Sequence, residues 1–143
     1  EMGHIAGSEL DGRTIPYDNS LEGLVSKKKD FIGKRSLDRK AFIAEDRQKV
    51  VGVVPIDKKT SIPEGSHLVK DSMAPIPNPK LGYISASCWS VEYDNPFSLA
   101  ILKDGKNMIG QKLFAMSPLK NKTIPVEIVS SHYVDPKGER VRS

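Results

Sequence analysis

A single cysteine, Cys88, stands in 143 residues, so the chain can close no disulfide of its own. That usage fits a reducing compartment, and the expected location is cytoplasmic. Three histidines, His4, His67 and His132, lie too far apart for a metal motif, and one cysteine cannot complete a structural zinc site. No apolar run approaches the ~20 residues that a membrane helix needs, and the opening Glu1-Met2-Gly3-His4 lacks the charged-then-apolar layout of a signal peptide. Gly3 and Gly7 are isolated, and neither P-loop nor dinucleotide spacing follows a strand, so no nucleotide site is expected. Aromatic residues make up only 6% of the chain, few for a surface that stacks bases.

What is present is the composition of a globular protein, 38% hydrophobic and 28% charged. The length fits one domain, or one domain with a leading arm, and suffices for a hydrophobic core without staples. The formal net charge is +4, and much of it lies in Lys27, Lys28, Lys29, Lys34, Arg35, Arg39 and Lys40. Such a cluster suits a phosphate, a polycarboxylate or nucleic acid, and its ordinary role is a solvated face. The chain opens on Glu1 rather than on methionine, which suggests a piece of something longer.

Residues 1–29 read as an extended arm: Asp11-Gly12 is a turn signal, Pro16 blocks a regular helix, and Asp18-Asn19-Ser20 can open a short turn. A charged hinge, residues 27–30, leads to a short helix expected over 33–41, where Leu37 and Ala41 share one face. Beyond it the pattern turns to β. Residues 49–56 are strongly β-branched, and the turn Pro63-Glu64-Gly65-Ser66 enters a strand at His67-Leu68-Val69. Pro75, Pro77 and Pro79 make a loop. Strands follow at 82–90, 97–103, 111–116 and 123–129. In the last, Ile124, Val126 and Ile128 alternate with other residues, and Pro125 points to an edge or a bulge. Six short strands spaced by turn signals predict a mainly β fold, a small antiparallel six-stranded β-barrel with a short helix and an N-terminal extended arm.

Few residues offer chemistry. Cys88 beside Trp89 reads as a core cysteine, since a reactive thiol needs a basic partner and exposure. His67 follows a turn and reads as a strand surface residue. Tyr83, Trp89 and Tyr133 could stack on a flat ring, although aromatics in strands usually fill cores. Glu1, beside Gly3, can offer two oxygens to a paired N–H edge such as that of a pterin, where a terminal glutamate is otherwise frayed. The tail Asp135-Pro136-Lys137-Gly138-Glu139-Arg140 reads as a wet turn.

The order of several short motifs resembles the C-terminal part of the α subunit of heterotetrameric sarcosine oxidase, a relative of the glycine-cleavage T-protein (aminomethyltransferase). These motifs are Glu1-Met2-Gly3, Asp11 to Pro16, Lys27-Lys28-Lys29-Asp30-Phe31-Ile32-Gly33-Lys34-Arg35-Ser36-Leu37, Pro63 to Val69, and the Asp135 to Arg140 tail. The "DFIGKRSL" run alone is also similar to T-proteins and dimethylglycine dehydrogenases. The lysines before it and the tail tilt the resemblance to sarcosine oxidase. The resemblance implies a tetrahydrofolate site, with Glu1 on the pterin ring, Lys27, Lys28 or Lys29 on the folate tail, and Tyr133 or His132 lining the pocket. Lysines in place of the arginine common in T-proteins keep the charge but lose the bidentate fork.

The resemblance further implies that residues 1–44 complete a preceding folate-binding domain, with 45–143 as the closing barrel. FAD, FMN and NAD sites, and the acidic residue of aminomethyl transfer, would lie elsewhere in the larger enzyme. No catalytic residue and no metal ligand is expected here, and the isolated chain should be inactive. The partners it implies are the rest of the α subunit, the other subunits and tetrahydrofolate, with neither nucleic acid nor membrane. The alternatives are the closing barrel of a T-protein, a folate-dependent demethylase or a dimethylglycine dehydrogenase and, of another class, a basic barrel that binds RNA through residues 27–40, Tyr83 and Trp89.

Overall fold

The computed structural model describes residues 9–75, 77–140 and 142. Six strands, β1 (Gln48–Pro55), β2 (His67–Val69), β3 (Gly82–Ser90), β4 (Asn95–Lys103), β5 (Lys112–Ser117) and β6 (Lys122–Val129), close into a barrel in the order β1-β4-β3-β2-β5-β6. Every pairing is antiparallel, and β1 against β6 closes the ring with Gly52 opposite Val129 and Pro55 opposite Val126. The predicted barrel is therefore the observed one.

Alternating side chains fill its interior. Val51, Val53, Leu68, Ile84, Ala100, Leu102, Leu113, Ala115, Ile124, Val126 and Ile128 form one cluster, capped by Ile62 and Met108. At about 25 cal/mol per Å² of apolar area removed from water, this cluster is the main stabilising element. A second cluster lies on the outer wall, where Val50, Val54, Phe97, Leu99 and Ile101 pack with Tyr83, Val129 and Tyr133. Strands β1 and β4 are thus buried on both faces over most of their length. Their continuous apolar runs have a physical cause. A strand that reads apolar on both sides needs a second covering layer, and here the segment before β1 and the tail after β6 take part in it.

That leading segment is not one extended piece. It carries three short 3-10 turns, Pro16–Asn19, Glu22–Leu24 and Lys34–Asp38, and one α-helical turn, α1 (Lys40–Ile43). The single helix expected over 33–41 begins only after Gly33, at φ 93°, and is split at Arg39, which is extended at φ −65°, ψ 139°. Neither piece buries a residue or has a side-chain cap, so nothing offsets the cost of nucleating a longer helix. Pro125 marks no bulge but a local edge, just past the end of the β6 ladder with β1. Strand β6 is paired on both sides, Pro125 faces Phe114, and the ladder with β1 ends at Val126. The missing N–H falls where β1 has run out, while the Pro125 carbonyl still accepts from the Ile56 N–H at 3.0 Å. The observed irregularity is in β3, where the register against β4 shifts between Ile84 and Ala86.

Candidate functional site

A cavity of about 500 Å³ lies between the leading segment and the outer barrel wall. Val50, Ile101 and Tyr83 line it from β1, β4 and β3, and Arg13, Asp18 and Asn19 line it from the arm. Its shape depends on Arg47, a residue that sequence patterns did not single out. The guanidinium donates from Nε to Asp18 Oδ1 at 3.0 Å and from Nη2 to Asp18 Oδ2. Nη2 also donates to the Arg13 carbonyl at 3.0 Å, and Nη1 to the Ala41 carbonyl at 2.9 Å. The cation sits 5.2 Å from the centroid of the Phe42 ring.

Asp18 in turn accepts the Ile15 N–H at 3.1 Å, tying off the first 3-10 turn. Side-chain exposure is 18% for Arg47 and 7% for Asp18, so the pair is largely desolvated. The hydrogen bonds to Asp18 raise the Arg47 pKa above its ordinary value. One side chain thereby joins the arm, α1 and the start of β1. At the cavity mouth the Arg13 guanidinium, 2.6 Å from Asp11, holds that carboxyl at about 2.

The expected site residues fall in different places. Glu1 lies outside the described residues. Lys27, Lys28 and Lys29 are exposed and form no ion pair among the described residues. The bend that carries them is fixed locally, with the Lys29 N–H donating to Ser26 Oγ at 2.9 Å and Lys34 Nζ donating to the Lys29 carbonyl at 2.9 Å. Tyr133 stacks on Phe97 with centroids 4.7 Å apart and a 13° tilt, and meets Tyr93 at 4.7 Å and 59°. Its hydroxyl accepts from Asn95 Nδ2 at 3.2 Å. Neither the lysines nor Tyr133 line the 500 Å³ cavity. A smaller cavity of about 310 Å³ takes in Ser20, Lys106, Ser131 and His132.

Reactive chemistry is sparse. The expected core position of Cys88 is not observed. The thiol is exposed on the outer end of β3, past the bulge, where Trp89 is also 51% exposed. Partial burial of the sulfur nevertheless pushes the thiol pKa up, so it stays protonated at neutral pH and is a poor nucleophile. Ser131 Oγ stands 3.4 Å from His132 Nδ1, too long for an activated hydroxyl, and both residues belong to one exposed bend. Among the described residues no three His, Cys, Asp or Glu side chains cluster to hold a metal, and no helix is long and apolar enough to cross a membrane. The arrangement can hold a ligand or a partner against a rigid wall.

This barrel, with its leading segment, has the fold of part of an aminomethyltransferase. The glycine cleavage system aminomethyltransferase T from Bartonella henselae superposes with a TM-score of 0.65 over 90% of this chain and 34% of that one, at 20% identity. Along its own length the chain is similar to sarcosine oxidase subunit alpha. It is 34% identical to that subunit of Rhizobium meliloti (strain 1021) over 99% of this chain. The corresponding subunits of Corynebacterium sp. strains P-1 and U-96 are 35% and 36% identical over 95% of it. The resemblance read from the motifs is thus borne out. The chain spans only 14% of the length of each of these relatives. No protein-family model matches the sequence.

Proposed function

We propose that this chain is the closing barrel of a sarcosine-oxidase-type α subunit and that it forms one wall of a tetrahydrofolate pocket. The observation carrying this reading is the 34–36% identity to sarcosine oxidase subunit alpha along nearly the whole chain. In the complete enzyme sarcosine is demethylated to glycine at a flavin, and tetrahydrofolate supplies the acceptor for the one-carbon unit. Residues 1–44 complete the preceding folate-binding domain and 45–143 form the barrel. Glu1 takes the pterin edge, Lys27, Lys28 and Lys29 take the carboxylates of the folate tail, and Tyr133 lines the pocket. The exposed, unpaired ammonium groups of the lysine run suit that tail. Tyr133, stacked on Phe97, suits a wall that is held still. The chain alone turns over nothing, and it works in the cytoplasm beside the other subunits.

The experiment is calorimetric folate binding to the complete enzyme, alongside anaerobic flavin reduction by sarcosine. Glu1→Gln replaces one acceptor by a donor that opposes the pterin N–H. A hydrogen bond to a charged group contributes about 1.5–3 kcal/mol, so affinity falls roughly ten- to hundredfold. Neutralising Lys27, Lys28 and Lys29 together weakens polyglutamylated folate more than monoglutamate, and more so at low salt. Flavin reduction survives both changes. Unchanged folate affinity in Glu1→Gln removes the pterin assignment.

A further inference from the structure

The formal charge of this chain is not spread over it. Residues 21–43 hold seven cations, Lys27, Lys28, Lys29, Lys34, Arg35, Arg39 and Lys40, against Glu22, Asp30 and Asp38. Their balance of +4 equals that of all 143 residues, and the other 120 residues are neutral at fifteen against fifteen. None of the seven cations forms an ion pair among the described residues. The same segment exposes large apolar side chains: Ile32 is 105% exposed, Leu24 81%, Ile43 61% and Phe31 39%.

Its two 3-10 turns, Glu22–Leu24 and Lys34–Asp38, and α1 bury no residue. Such short helical pieces are marginal unless one face packs on something. Met73, Val91 and Leu119 are exposed elsewhere, but among the described residues it is in this segment that exposed apolar side chains accompany seven unpaired cations. Apolar side chains grouped with unpaired cations mark an interaction surface whose partner is apolar at its centre and acidic at its rim.

From this we infer that residues 21–43 dock onto an acidic-rimmed apolar surface of the larger subunit, with Ile32 and Leu24 as the apolar anchors and Lys34, Arg35 and Arg39 as the rim contacts. The occupant is protein of the same polypeptide, since the related subunits are about seven times as long as this chain. Nucleic acid fits less well. Aliphatic Ile32 and Leu24 offer it nothing to stack on, and the segment carries a single pair of aromatics, Phe31 and Phe42. This inference rests on the proposed membership in a longer subunit, but not on folate binding.

The test is hydrogen exchange of the complete subunit, wild type and Ile32→Glu, at two protein concentrations and with and without added single-stranded RNA. Ile32 packs on nothing in the barrel, so the substitution leaves Val51–Val53 exchange slow and reports on docking alone. The expected result is at least tenfold slower exchange over 31–36 in the wild type than in Ile32→Glu, independent of protein concentration and of RNA. Arg35→Glu with Arg39→Glu should give a loss of protection of the same sign that weakens as salt rises. Equal exchange in wild type and Ile32→Glu overturns the inference. Protection that grows with protein concentration assigns the surface to a second copy, and protection that appears only with RNA assigns it to nucleic acid, each of which overturns it. Loss of protection in Ile32→Glu in a subunit that binds no folate keeps this inference and removes the folate reading.

Discussion

Replacing Arg47 by methionine should release the leading segment from the barrel without unfolding the barrel itself. Methionine keeps much of the apolar stem but leaves Asp18, only 7% exposed at its side chain, with the Ile15 N–H as its remaining partner. The Arg13 and Ala41 carbonyls lose their donor as well, and Phe42 loses its cation. Removing one partner of a buried ion pair typically costs about 3–5 kcal/mol, because the other charge stays desolvated. The pair here is partly hydrated on the arginine side, so the lower end of that range, about 3 kcal/mol, is expected. Arg47→Lys keeps a charge but cannot span both Asp18 oxygens and two carbonyls, and should cost roughly half as much. Asp18→Leu with Arg47→Met removes both charges together, and should be less destabilising than Arg47→Met alone. Urea unfolding gives the size of the effect, and amide exchange at residues 15–20 against 50–54 gives its location. A loss below about 1 kcal/mol in Arg47→Met, or a double variant worse than the single one by the full cost of the second change, would refute the reasoning.

Three further outcomes are expected. Tyr133→Phe leaves buried Asn95, already lacking a partner at Oδ1 among the described residues, without its Nδ2 acceptor, and should lower stability by about 1–2 kcal/mol in urea melts. Gly82→Ala places a methyl group 2.9 Å from Leu102 Cα and against the Ile101 carbonyl, backbone that cannot turn aside, and should lower stability in urea unfolding by about 1–3 kcal/mol. Asp57 is held at about 2 by the Thr60 hydroxyl first, then by the Thr60 and Lys59 amides. Because its folded value is depressed, the support it gives its turn is fully present above the ordinary carboxylate range and is lost as pH falls through about 2. Carboxyl NMR titration should show that midpoint, and Thr60→Ala should move it back up towards 3.8.

Much of the barrel was legible because its strands announce themselves locally. The β-branched run around Val50–Val54 and the proline-glycine turn before His67 fix where strands begin, and 82–90 coincides with β3. The split at Arg39 was not legible, since Leu37 and Ala41 suit a helix face and only the lack of anything to pack on breaks it. Cys88 and Trp89 look like core on composition, but the shift after Ile84 and the outward end of β3 put them in solvent. The Arg47–Asp18 clip was invisible because its partners stand 29 residues apart and neither residue type nor spacing marks a pair. The lysine run was legible as charge, whereas the exposure of Ile32 and Leu24 beside it needed coordinates.

The closure of β1 by β6 also sets a timetable for a ribosome. Strand β1 is apolar on both faces, yet one neighbour, β4, begins at Asn95, and the other, β6, ends at Val129. At the usual ~5–20 residues per second, the 74 residues between Pro55 and Val129 take roughly 4–15 s to emerge. Until β4 has emerged Val50, Val51, Val53 and Val54 form a bare, sticky ribbon, and a chain stalled before Lys122 leaves β1 and β5 each with an open edge able to pair with a neighbouring nascent chain.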